Sequence, residues 1–537
     1  MNPRALALTI KRGVPALLAE ALTRTIGDYL AGSRNATVLE DGAAIFDLTR
    51  SKYSLSGEHG KCLLHFWSDE RNAVRRVIEV EEKRGSLQLT VQRMGQPRPS
   101  KLEICRNQDS RTPSTRKAAR AAYQGKLQRM LERKFPGFHV THITSGADLE
   151  RSFGPVYARG LLRRGQSAFA VLGVNAQETQ ASIDSALTFA ILWLDVCRQS
   201  HVSKIHVEGL KLFVPAGMSG LVRARMSHLN PEAAKWQLHE VNELEESIHE
   251  LDCADCGNIE TRLVRCADEA AARERFAAAA AAIREIIPEV DAEILSAGQM
   301  SFRCHGLEFA CARWGPDPAS FRNRVEIVFG VGAEETVLSE ENYPRFIRCI
   351  HEIAEVRHAE GPRDHPMWRL QPERWLEALV MQNVRVLDDR LDAACRYSQM
   401  PAFSAADRAM IDVLAVTRDS RLSVLELKAE EDIHLPMQGL DYWSRVTWHH
   451  ERGEFQRFGY FPGRELSPAP PLLMLVAPAL HVHPATDTLL RYLSPTIDWM
   501  LFGIDERWRE NLRVIFRKRP GSQIATGIQI PPDVDAA

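Results

Sequence analysis

Long hydrophobic runs are scarce in this chain of 537 residues. The longest, Ala186–Leu194, falls far short of the roughly 20 apolar residues that a membrane-spanning helix needs, so no membrane partner is expected. Excess charge of either sign is also missing. A formal net charge of −2 argues against a protein that coats nucleic acid indiscriminately, yet leaves room for one basic groove. Cysteine is sparse: ten residues, unevenly spaced, do not make a secreted disulfide framework and point to a reducing compartment. His249, Cys253, Cys256 and Cys266 are the only metal-like cluster, and they lack the second Cys pair that usually closes a zinc site. The opening residues carry no acid before Glu20. Lys11, Arg12 and Pro15 break their apolar runs and no clear cleavage site follows, so a helix is expected there rather than a transit peptide. The expected location is cytoplasmic.

What is present is ordinary for a globular protein: 45% apolar and 26% charged residues, in a chain long enough for three or four domains. The expected class is a multidomain α/β protein. Residues 1–36 read as an N-terminal helical segment. Residues 37–110 read as a β-rich domain, with strand-like runs at Ala44–Leu48, Cys62–Trp67, Val74–Val80, Ser86–Val91 and Lys101–Cys105 punctuated by Gly and Pro. Residues 111–165 form a basic helical segment. Its Arg116, Lys117, Arg120 and Lys126 suit a phosphate backbone, or alternatively a solvated face neutralised by the acidic Glu240–Asp255 region. Residues 166–250 read as an α/β domain: strand Ala168–Val174, helix Gln177–Cys197 and a strand pair, Lys204–Val207 and Leu210–Val214. Residues 251–357 form a further α/β region, with an Ala-rich helix at Asp268–Ile286, strands at Leu307–Ala312 and Val325–Val331, and a helix at Pro344–Glu355. His358–His365, with Gly361 and Pro362, reads as a linker. A last domain is expected over 367–519, followed by a tail, 520–537.

The chemistry concentrates in Ile411–Tyr442. Two apolar runs, Met410–Val416 and Leu422–Leu427, flank a polar turn and predict a β-hairpin. Asp412 interrupts the first run; Glu426 sits in the second and leads to Lys428. A charge inside an apolar run is costly unless compensated. One Mg²⁺ held by Asp412 and Glu426, with Lys428 beside a water, compensates all three, and it suits phosphodiester hydrolysis. Register adds a condition. A four-residue loop, Arg418–Arg421, sets Asp412 opposite Leu427 and on the wrong face, so an odd-length loop or a β-bulge is predicted. A helix opening near Pro436 carries Gln438 and Tyr442 on one face.

Asp412, then Glu426-Leu427-Lys428, then Gln438-x-x-x-Tyr442 resembles the PD-(D/E)XK nuclease superfamily in its RecB-like branch, over the last third of the chain only. Ile411 stands where that superfamily often has Pro. The resemblance implies a restriction-endonuclease-like core of order αβββαβ over 367–519, and a Mg²⁺- or Mn²⁺-dependent deoxyribonuclease acting on DNA. It implies Asp412 and Glu426 as metal ligands, the Leu427 carbonyl as a further one, and Lys428 as the residue that orients or deprotonates water. Gln438 and Tyr442 then touch the nucleic acid backbone, and an acid from a preceding helix, Glu377 or alternatively Glu373, completes the metal shell. The iron–sulfur cluster of some RecB-like relatives needs four cysteines flanking the core; no cysteine follows Cys395. Trp443, Trp448, His449, Tyr460 and Phe461 either stack on unpaired bases or pack inside. The alternative function is a non-catalytic or partner-dependent nucleic-acid-binding protein that retains the nuclease fold, with a protein partner engaged by the residues before Met367.

Overall fold

A computed structural model describes residues 15–521 apart from 32–35, 41–42, 49–50, 58–60, 68–71, 84–85, 94–98, 106–112, 142, 200–204, 255–260, 317–322, 332–334 and 402–409. The protein is mixed α/β with several sheets and divides into two compact units. The first contains α1 (Pro15–Ala31) and seven strands: β1 (Thr37–Glu40), β2 (Ala43–Asp47), β3 (Lys52–Ser56), β4 (Cys62–Trp67), β5 (Asn72–Lys83), β6 (Ser86–Arg93) and β7 (Pro99–Cys105). They form one antiparallel sheet, ordered β2-β1-β7-β6-β5-β4-β3. β4 alternates buried and half-buried positions, as a sheet covered on one face requires. That cover is α1, whose Leu22, Ile26 and Leu30 pack against Val38, Phe66, Leu89 and Ile104. β2, β4, β5, β6 and β7 overlap the expected strand-like runs, and β1 and β3 were not expected. Residues 1–14 of the expected N-terminal helical segment lie outside the described residues. The basic helix is α2 (Pro113–Lys134), followed by β8 (His139–Val140).

Most of the second unit's first part is built from β9 (Ala158–Arg164), β10 (Ser167–Gly173), β11 (His206–Pro215) and β12 (Lys235–Asn242), side by side in the order β12-β11-β10-β9. α3 (Gln180–Asp184) and α4 (Ala186–Gln199) lie between β10 and β11; α5 (Gly220–Met226) precedes β12, and β13 (Ser247–Leu251) follows it. The expected pair of strands, Lys204–Val207 and Leu210–Val214, is the single strand β11. Gly209 is not a turn there: a Cβ at that position would lie 2.0 Å from the Lys235 carbonyl oxygen, so glycine lets the β12 backbone approach. The apolar stretch around α4 extends further than Ala186–Leu194. Gln180–Gln199 is long and apolar enough to cross a membrane by length and composition, but Leu187, Ala190, Ile191 and Leu194 are fully buried inside the protein.

Next come α6 (Glu269–Arg275) and α7 (Ala277–Ile286), then an antiparallel sheet of β14 (Asp291–Ser296), β15 (Gln299–Cys304), β16 (Leu307–Pro316), β17 (Asn323–Phe329) and β18 (Thr336–Val337), and α8 (Tyr343–Val356). β14 and β15 were not expected. The stretch expected as a linker follows Arg357, which is fully buried and donates to the carbonyls of Cys304, His305, Met367, Leu370 and Gln371 at 2.7–3.3 Å. One guanidinium thus fastens the β15–β16 turn to the chain entering the last core.

That core begins with α9 (Pro366–Arg369) and α10 (Pro372–Gln382). β19 (Leu391–Pro401), β20 (Met410–Thr417) and β21 (Leu422–Leu427) follow, then α11 (Leu435–Glu451) and α12 (Glu454–Arg457), β22 (Leu472–Pro478), α13 (Thr486–Arg491), β23 (Trp499–Ile504) and β24 (Val514–Lys518). The sheet order is β19-β20-β21-β22-β23-β24; β21, β22 and β23 run parallel and the other neighbours antiparallel. Every residue of β21 and β22 is buried, as in strands covered on both faces. On one face Val413, Ala415, Leu425, Met474 and Val476 pack against Trp375, Leu376 and Val380 of α10. On the other, Leu414, Val416, Leu422 and Val424 pack against Val446 of α11 and against Phe455 and Tyr460.

Candidate functional site

The hairpin β20–β21 sets the geometry. Thr417 and Arg421 close a three-residue loop, Arg418–Ser420, by a 2.8 Å hydrogen bond from the Thr417 N–H to the Arg421 carbonyl. Ser420 takes φ 65°, the left-handed residue usual in three-residue hairpin loops. The loop is odd, as the register required. Val413 pairs with Leu425 and Leu414 with Val424, so one step further Asp412 stands across from Glu426. Cross-strand partners hold their Cβ atoms within about 5 Å, and like charges placed there repel.

Glu426 is 2% exposed in the middle of the sheet. Its Oε1 lies 3.2 Å from Lys428 Nζ, while its buried Oε2 has no hydrogen-bond partner. Burial first, and Asp412 second, push its carboxyl well above the usual range. Burial likewise raises Asp412, against the Leu427 N–H, which donates to its Oδ2 at 2.8 Å. Lys428 follows β21, its N–H bonded to the Val476 carbonyl at 2.9 Å. Burial alone pulls its ammonium pKa down, but Glu426, Asp432 and Asp412 outweigh burial and the pKa rises. Asp432 Oδ2 sits 3.8 Å from Nζ. The three charges legible in the sequence therefore converge, with one ammonium among several carboxylates.

α11 brings the second pair of residues. It opens at Leu435 with Pro436 in its first turn. Gly439 faces the sheet: a Cβ there would lie 2.5 Å from Leu475 Cδ2 and 3.7 Å from Glu426 Cβ. Glycine lets the helix sit close over β21 and β22. Tyr442, one turn on, is half-buried. Its hydroxyl pKa is raised by burial and then by the charges of Glu426 and Asp412. Gln438 keeps a buried Oε1 without a partner. The neighbouring Asp441 is clamped by Arg225 of α5, whose Nε and Nη2 donate to both carboxylate oxygens at 2.9 and 2.7 Å. Sequence reading missed this clamp; the two residues are 216 apart in the chain, and Asp441 fills only an unspecified position of the Gln438-x-x-x-Tyr442 spacing.

The helix acid behaves differently from its expected role. Glu377 is 4% exposed and is held by Arg374 at 3.1 Å and by the Gln399 amide. Burial first, with help from Asp412 and Glu293, pushes its carboxyl up to about 8 despite Arg374 and Arg303. It does not join Asp412 and Glu426 as a third ligand: among the described residues no three of His, Cys, Asp and Glu form a group that could hold a metal ion. Glu373 is half-buried and reaches Asp412 only as a charge that raises its pKa. A cleft of about 510 Å³ opens against Glu377, lined also by Glu293, Arg303, Arg374 and Ser398.

On the basic helix, Arg120 makes two bonds to Glu178, Lys126 reaches the Glu243 carbonyl, and Arg129 and Arg133 meet Glu246. Internal carboxylates thus neutralise much of this face, and part of that neutralisation comes from the expected acidic region. Lys117 is exposed; the Arg116 side chain lies outside the described residues. Among the aromatics, Trp443, Tyr460 and Phe461 are buried, as is His449. Trp443 donates to the Pro471 carbonyl and Tyr460 to that of Val264, so these side chains pack rather than wait for a base. Trp448 is half-buried, with the Arg452 guanidinium stacked on its ring. The cysteines among the described residues are free thiols.

No protein-family model matches the chain, and no curated protein matches it.

Proposed function

We propose that this protein is a metal-dependent nuclease that hydrolyses DNA phosphodiester bonds, with its site at Asp412, Glu426 and Lys428. One observation carries the reading. A half-buried carboxylate, Asp412, stands across neighbouring strands from the buried Glu426, and an oxygen of Glu426 lies buried with no donor. Such a pair is unfavourable by itself, and a divalent cation resolves it. Mg²⁺ is commonly held by one or two carboxylates with water completing the shell, so the two acids suffice without a third. The order α10-β19-β20-β21-α11-β22 is also the αβββαβ order of the restriction-endonuclease-like core, and it supports membership of the PD-(D/E)XK superfamily.

Asp412 and Glu426 would hold Mg²⁺ or Mn²⁺, which when bound supplies Lewis acidity toward a phosphoryl oxygen. Lys428 does the rest of the electrostatic work. Its raised pKa keeps it an ammonium at neutral pH, so it acts by donating hydrogen bonds: it orients a water and stabilises negative charge as it develops on the phosphate. Tyr442 also stays protonated and donates from α11, while Gln438 offers its amide to the nucleic acid backbone. Arg225 and Gly439 fix where α11 presents them.

The test is cleavage of labelled DNA with Mg²⁺ or Mn²⁺. The parent should cut and Lys428→Ala should not; a Lys428→Ala protein that cuts as fast as the parent defeats the reading. A parent that never cuts, but binds DNA in a salt-dependent way that survives Glu426→Ala, is the non-catalytic alternative.

A further inference from the structure

Gln399 of β19 stands out from the rest of the sheet in three ways. Its φ is 47°, in the left-handed region that residues other than Gly, Asn and Asp rarely adopt, and never cheaply inside a strand. It is 7% exposed. Its Nε2 donates to Glu377 Oε2, while its buried Oε1 has no partner. The neighbouring pairs, Ser398 with Val413 and Met400 with Ile411, bracket Asp412. Gln399, Asp412 and Glu426 therefore occupy one row across three adjacent strands.

A strand interior gains nothing from a left-handed glutamine. Local strain of this kind persists where the surroundings hold it for a purpose. Here the departure from strand geometry lets the amide reach Glu377 on α10. We propose that Gln399 is a positioning residue of the site: its amide nitrogen fixes the Glu377 carboxyl, and its carbonyl oxygen is a further acceptor in the row of Asp412 and Glu426. This rests on the nuclease reading for its purpose, but not for its test.

Glu377 is the reporter. The charged groups facing it are Arg374 on its own helix, Asp412 on β20, Arg303 on β15 and Glu293 on β14. The Gln399 N–H favours the ionised carboxylate, so losing it moves the Glu377 titration upward. Gln399→Asn is the first variant, since asparagine tolerates positive φ but is one carbon too short to reach Glu377. Gln399→Gly is the second; it removes the strain outright and keeps the test open should the first fail to fold. The Glu377 titration is read by infrared difference against Glu377→Gln, with no metal and no substrate. Both variants should raise its midpoint by about one pH unit, the scale of a hydrogen bond to a charged group, with the thermal midpoint held or raised. An unmoved titration overturns the proposal. So does a fall in thermal midpoint with no change in titration, which marks a packing residue. DNA cleavage is measured in parallel: a lower kcat with KM unchanged in both variants places the Gln399 carbonyl oxygen in the working row of Asp412 and Glu426. If the parent does not cut, the nuclease reading fails while the titration still decides Gln399.

Discussion

Replacing Glu377 by glutamine should shift stability in favour of the variant as the pH rises from about 5 to about 7. The carboxyl is raised from 4.5 to about 8, first by burial and then by Asp412 and Glu293. Between those values the folded protein keeps the proton and the unfolded chain has lost it. The parent therefore loses about 1.4 kcal/mol of stability for each pH unit climbed in that window. Glutamine does not titrate and escapes this loss. From about pH 5 to about pH 7 the variant should gain ~3 kcal/mol on the parent, whatever fixed cost the lost Arg374 contact carries. The unit that holds the site has roughly 350 residues, so its unfolding entropy is about 0.7 kcal/mol per degree and the gain is ~4 °C in Tm. Scanning calorimetry of both proteins at several pH values measures it. A difference in Tm that stays flat from pH 5 to pH 7 refutes the reasoning, because it means that Arg374 and Gln399 already hold the carboxylate ionised.

Three further outcomes follow from the packing and charge around the site. Gly439→Ala drives a methyl to 2.5 Å from Leu475 and should cost about 1–3 kcal/mol, seen as a lower Tm, with slower DNA cleavage because α11 is lifted from Glu426. Arg225→Ala leaves Asp441 largely buried without its bidentate partner and should cost about 3–5 kcal/mol; Arg225→Lys should recover only part of it, since an ammonium does not match both oxygens, and urea denaturation compares the two. The double variant Asp412→Asn, Glu426→Gln should melt above the metal-free parent at about pH 8, where the facing carboxylates are most strained. Adding Mn²⁺ should raise the Tm of the parent and leave that of the double variant unmoved; equal shifts in both place the ion elsewhere.

The sequence was informative where charge contradicts its surroundings. Asp412 and Glu426 were legible because an acid inside an apolar run demands a reason, and the register argument they forced foretold the odd loop, Arg418–Ser420. Pro436 marked the first turn of α11. β19 was missed because Leu391–Pro401 neither alternates nor runs apolar, and Gln399 matters through a backbone angle that no residue type announces. β14 and β15 were missed for the same lack of pattern. The break expected between Lys204–Val207 and Leu210–Val214 erred in the opposite direction: Gly209 lies inside β11 and serves close contact between strands. Gly361 and Pro362 made His358–His365 read as a linker, while the residue that fastens this region, Arg357, is an arginine in the interior, which composition does not flag.

Cleavage of a labelled DNA strand by the parent and by Glu426→Gln, each with and without Mn²⁺, bears most directly on the nuclease reading. Glutamine keeps the volume and loses only the charge of the buried acid. The parent should cut only with the metal, and Glu426→Gln should not cut, at an unchanged or higher Tm. Metal-independent cutting, or equal cutting by both proteins, contradicts the nuclease reading.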